Sequence, residues 1–158
     1  MNVKPIYFLM RWGAQLIIER PVQKLTIPEL ASQLEQSGNH LIEHLSSCQD
    51  TLPNRRQLCH LIGIERWSQR RLRVALGEPF LSEEYDHYRP SNERSWDELK
   101  TEWITTRQAT ISLTKDLISH SSITPGIKIL HNQYGPLSIN AWLRYIDTHA
   151  SSEAKRIK

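Results

Sequence analysis

His149 and Glu153 stand four residues apart, a spacing that on a helix lets two side chains converge on one point. They fall on the same helical stripe as Ile139, Trp142, Leu143, Ile146, Ala150 and Ile157. At 100° per residue from Ile146, His149 lies at about −60° and Glu153 at about −20°, inside the arc of the apolar residues. A helical core should not receive an imidazole and a carboxylate unpaired. A divalent cation would satisfy both, because it neutralises the carboxylate and accepts the imidazole lone pair. The spacing alone suits equally a pair hydrogen-bonded in water near a fraying helix end. His60 is the third candidate ligand. It shares a side of an earlier helix with Ile64 and Trp67, where a histidine is also an ordinary packing residue.

Other residues compete for the same chemistry. His40 and His44 are likewise four apart, with Glu43 between them, but the metalloprotease pattern needs Glu directly after the first histidine. Counted from Leu34 they fall at about 240° and 280°, at the edge of the leucine stripe, so a solvated helix side is expected. His87, His120 and His131 read as surface residues in loops or at helix ends, with His131 able to approach the last helix. Cys59 adjoins His60, but neighbours on a helix point about 100° apart, so the two do not form a catalytic pair. Cys48 has no evident partner, and buried free thiols are expected for both cysteines. The basic stretch Glu65 to Arg73 could bind phosphate, yet arginine stems lying over apolar surface on a solvated helix face explain it as well.

Helices must position these groups. Thr26 and Glu29 form a capping box for a first long helix, with Leu30, Leu34, Gly38, Leu41 and Leu45 on one stripe. Gly38 there would allow a close approach by a neighbour. A second helix runs from Asn54, read as its N-cap, to Gly77. Its apolar residues lie on two sides, so it should touch more than one neighbour. Ser95 and Glu98 cap a third helix that reaches about Ser119, with Thr106 and Thr110 on its apolar stripe. Those threonines either line a pocket or bond back to their own helix. Ser138 caps the last helix, Ile139 to about Arg156. The segment before Pro21 reads as a short helix packed on the domain. No strand alternation is evident, and no sheet is expected. The long, proline-containing link from Glu78 to Arg94 should cross from one end of the structure towards the other, so that the second and third helices run parallel.

Composition sets the bounds. The chain has 158 residues, 39% of them hydrophobic and 23% charged, which suits one domain with a sizeable core. Its net charge of +3 is too small to be a nucleic-acid signature by itself. Arg11 interrupts the apolar residues near the start, which opposes a signal peptide or membrane span. Two cysteines in no metal-binding spacing fit a reducing cytoplasm.

The stretch from His60 to Glu65 resembles the second-helix motif of the DinB-like helical proteins, in which a ligand histidine precedes Leu and, five residues on, Glu. The run Tyr134-Gly135-Pro136-Leu137-Ser138, followed by Trp142 to His149, is similar to the start and body of that family's last helix. The resemblance covers residues 26 to 157, with 1 to 25 as an extension. It implies an all-α, up-down-down-up four-helix bundle with a short extra N-terminal helix, often a homodimer. It further implies one divalent metal held by three histidines, one from the second helix and two from the last. Two of those positions match His60 and His149, and the third matches Glu153, where the family has His. A two-histidine, one-carboxylate set still suits zinc first, with nickel or iron as alternatives, and leaves open positions. The implied activities are a metal-dependent hydrolase or a thiol-dependent transferase with a small-molecule substrate. Glu65 takes a structural or supporting role. A metal-free bundle acting as a dimeric interaction module is the alternative, and a phosphate or nucleic-acid binder a third.

Overall fold

A computed structural model describes residues 13–121, 123–124 and 126–158. The molecule is predominantly helical. The four long helices among the described residues are α1 (Ile27–Ser47), α2 (Leu52–Leu72), α3 (Trp96–Ser119) and α4 (Ile139–Glu153). The Thr26/Glu29 and Ser95/Glu98 capping boxes are both formed, and the Ser138 side chain accepts from the Ala141 N–H at the start of α4. Asn54 does not cap α2. Thr51 does, accepting from the Asn54 N–H, while the Asn54 side chain donates to the Gln49 and Lys158 carbonyls. The helix therefore starts three residues earlier than Asn54 suggests, and Pro53 near its first position fits there because that N–H has no helical partner to meet. Beyond Leu72 a 3-10 turn, Arg73–Leu76, ends at Gly77 with φ 97°, a left-handed value that glycine adopts without penalty.

Hydrogen bonds give the helix directions. Arg66 of α2 reaches Glu102 and Thr106 of α3, and Gln69 reaches Thr106 and Thr110, so the two helices advance together. The 78–94 link makes this possible by running back along α2. Arg70 donates to the Pro79 carbonyl, Trp67 Nε1 to the Glu83 carbonyl at 3.1 Å, Arg89 to His60 at 3.0 Å, and Arg55 to the Arg94 carbonyl at 3.2 Å. At one end of α4, Asn140 donates to the Leu25 carbonyl, and beyond its other end the Ile157 carbonyl meets His44, so α4 runs with α1. Both run opposite to α2 and α3, as shown by Gln57 meeting Glu153 while Trp67 meets Trp142.

The described part of the N-terminal segment is helical, with a π turn at Gln15–Glu19 and a 3-10 turn at Arg20–Val22; Ile6 to Met10 lie outside the described residues. The buried Glu19 carboxylate accepts from the Ser138 N–H at 2.7 Å and from its hydroxyl at 2.8 Å, placing negative charge at the N-terminus of α4.

The expectation of no sheet is wrong. β1 (Lys128–His131) and β2 (Gly135–Ser138) form an antiparallel hairpin, with Ile129 paired to Leu137 and His131 to Gly135. Ile129 and His131 point inward. Leu130 sits on the outward face, which erases the apolar–polar alternation a strand is recognised by. Pro136 suits a two-stranded edge, where a missing N–H is tolerated.

α2 is the central element. Leu58, Leu61, Ile62, Ile64, Trp67 and Leu72 are all buried, on more than one side, against α3, α4 and the 78–94 link. For the same reason the expected solvated basic face is absent. Glu65, Trp67, Ser68, Gln69 and Arg71 are buried. Arg71 donates to the Glu83 carbonyl and to Asn132, with its guanidinium 5.0 Å from the Trp67 ring centre. Arg66 pairs with Glu102, and Arg70 with Glu78. These cations are engaged within the chain. Among the described residues no helix is long and apolar enough to cross a membrane.

Candidate functional site

His60 leaves α2 and His149 leaves α4 towards each other. Their ring centres are 5.2 Å apart, with the planes tilted by 56°. His60 also meets Tyr85 edge-on at 5.4 Å, and His149 meets Tyr145 at 5.6 Å. Tyr145 packs in turn on His131, Tyr134 and Trp142, so the imidazole pair sits at the edge of an aromatic cluster. Burial is the first cause that lowers the His60 pKa, and the Arg89 charge is the second. Burial, then the neighbouring His60, pushes His149 down to about 4. Both rings are therefore neutral at neutral pH, the form in which imidazole offers a lone pair.

Glu153 lies one turn beyond His149, and its charge acts on both imidazoles. Its carboxylate accepts from Gln57 Nε2 at 2.8 Å and pairs with Arg156 at 2.9 Å. Arg89 donates from Nη2 to His60 Nδ1 at 3.0 Å, lies 4.9 Å from the Tyr85 ring centre and pairs with Asp86. The chain thus brings His60 and His149 together and keeps Glu153 close, with two arginines at the rim. Among the described residues no group of three or more His, Cys, Asp or Glu side chains is already arranged to hold a metal.

A two-imidazole metal site sets a ring separation against which the pair can be compared. Zinc–nitrogen bonds of about 2.0–2.1 Å put each ring centre about 3.2 Å from the metal, and a tetrahedral angle then separates the two centres by about 5.2 Å. The observed 5.2 Å is compatible with that separation and is equally an ordinary packing distance between rings.

Several residues do something other than their sequence context suggests. His131 is buried, not a surface residue, and is stacked on Tyr134 at 4.5 Å. Its Nδ1 accepts from the Gln133 and Tyr134 N–H groups, and burial pushes its pKa down to about 3. Its place in a hairpin with no strand signal hid this. Glu65 pairs with Arg107 at 2.9 Å and accepts from the Thr110 hydroxyl at 2.6 Å, a fully buried link between α2 and α3. Thr106 and Thr110 are taken up by that network. Gly38 gives way to the Arg107 side chain, since a Cβ there would lie 2.9 Å from its Cγ. Cys48 does have a partner: its Sγ is 3.5 Å from His44 Nε2 and donates to the His44 carbonyl. Cys59 is a buried free thiol. A cavity of about 450 Å³ lies elsewhere, between Val22, Ile27, Ile123, Ile127 and Ile139, and no histidine lines it.

Arg89 and Tyr85 were not legible as site residues. The one local signal is Gly63, an unexplained glycine inside a helix. A Cβ at Gly63 would lie 2.5 Å from Arg89 Cγ and 3.3 Å from its backbone, so the glycine admits the link against α2. Compared with protein families, with curated proteins and with solved structures, the chain matches none.

Proposed function

We propose that this chain is a DinB-like protein that holds one divalent cation, zinc first, between α2 and α4 on His60, His149 and Glu153. The carrying observation is the convergence of two neutral imidazoles from different helices, 5.2 Å apart, with Glu153 one turn from His149. Family membership draws further support from helix direction: α1 and α4 run one way and α2 and α3 the other, the order of an up-down-down-up four-helix bundle. The bound ion would supply a Lewis acid with open positions, lowering the pKa of a water or of a thiol cosubstrate. The aromatic cluster around Tyr145 walls the site on one side, and the 85–89 segment covers His60. Glu153 would be the weak third ligand, because its carboxylate is already held by Gln57 and Arg156. A metal-dependent hydrolase or a thiol-dependent transferase uses this same set of ligands.

The test is titration of chelator-treated protein with zinc, followed by calorimetry. One site per chain is expected, with binding lost in His149→Ala. Glu153→His should tighten the site by supplying a third imidazole. Equal affinity with and without His149 would place the metal elsewhere and overturn this reading, whereas no zinc binding at all would leave the metal-free interaction module.

A further inference from the structure

We propose that Arg89 is a built-in competitor for the metal, a guanidinium that occupies the His60 lone pair and must withdraw before the ion can bind. The inference rests on the metal reading of His60 and His149 and adds a regulator to it. Arginine has donors only and stays charged at any accessible pH. Its 3.0 Å contact with His60 Nδ1 therefore makes that nitrogen the acceptor, and the proton of the neutral ring lies on Nε2. Neither nitrogen is then free for a metal. Nδ1 is covered by the guanidinium. Binding at Nε2 requires its proton to move to Nδ1, where an N–H would face an arginine that cannot accept it. A ligand histidine ordinarily donates its second N–H to an acceptor, so the Arg89 contact is the reverse of what a loaded site needs.

The contact is built, not incidental. Gly63, one turn beyond His60, is the notch through which the Arg89 stem crosses α2. Tyr85 holds the guanidinium by its ring face and meets His60 in a T-shaped contact. Asp86 supplies the acceptor to which Arg89 can retreat, at 3.2 Å already and largely exposed. The 3-10 turn Tyr85–Tyr88 carries Tyr85 and Asp86 and leads directly into Arg89, so one short segment supplies all three groups. Any ligand that draws Arg89 away, such as an anionic group on a substrate, would favour loading.

The experiment compares the wild type, Arg89→Met and His149→Ala, with zinc as the probe. Methionine keeps an unbranched stem over Gly63 and removes the donor. Arg89→Met should raise zinc affinity about 10- to 100-fold, the size of effect that altering a ligand's hydrogen-bond partner has. Nitrogen NMR of the metal-free wild type should show His60 protonated at Nε2, with that preference weakened in Arg89→Met. Unchanged affinity in Arg89→Met, with binding still lost in His149→Ala, overturns the competitor while the metal site stands. A wild-type His60 protonated at Nδ1 overturns it as well. Zinc binding that ignores His149, or no zinc binding by the wild type and Arg89→Met alike, overturns both.

Discussion

Glu65→Leu is expected to lower the unfolding free energy by about 3–5 kcal/mol, measured by urea denaturation followed through tryptophan fluorescence. Glu65 and Arg107 are both buried, and among the described residues the carboxylate is the only charge paired with the guanidinium. Removing it leaves a buried cation whose Nε has no partner already, and strips the Thr110 hydroxyl of its acceptor on α2. The remaining bonds of Arg107 to the Leu34 carbonyl and Ser37 do not neutralise its charge. Removing both charges in Glu65→Leu/Arg107→Met should recover most of the loss, because the penalty comes from the orphaned cation and not from the missing pair. A loss below about 1 kcal/mol for Glu65→Leu would show that water reaches Arg107.

Acidification should destabilise the fold through His131, beginning near about pH 6.5, before ordinary carboxylates titrate. Its folded pKa is about 3, against the unperturbed histidine value of about 6.5 in the unfolded chain. Between those values the unfolded state binds a proton that the folded state refuses. Stability is therefore complete above about pH 6.5 and falls as pH drops towards the folded pKa. By pH 4.5 the cost is roughly 3 kcal/mol, a sizeable part of a domain's stability. His131→Asn keeps an acceptor near the Gln133 and Tyr134 N–H groups and removes the titration. Denaturation at pH 8 and pH 4.5 should show a smaller pH effect in that variant, and identical slopes would assign the acid sensitivity to other groups.

The elements that were legible in the sequence are those whose causes are local. The capping boxes at Thr26 and Ser95 join residues three apart, and the leucine stripe of α1 is read from one helix alone. His149 and Glu153 could be singled out because helical periodicity places them against an apolar arc. The role of Asn54 was misread because its partners, Gln49 and Lys158, include one 104 residues away. The hairpin was missed because four-residue strands with an exposed Leu130 carry almost no pattern.

The sequence by itself determined the helical segments, most of their ends, and which histidines and which carboxylate share a side with apolar residues. Those properties follow from hydrogen bonds and side-chain periodicity within a few residues. Tertiary structure alone decided that His60 faces His149, that the arginines of α2 are turned to internal partners, that His131 is buried and that Arg89 sits on His60. The first two follow from how α2 packs against α4, α3 and the 78–94 link, the third from the hairpin delivering His131 to α4, and the last from the link running back along α2. Such contacts join residues tens of positions apart, where burial, charge and the space left by Gly63 choose the partner, and no local spacing records that choice.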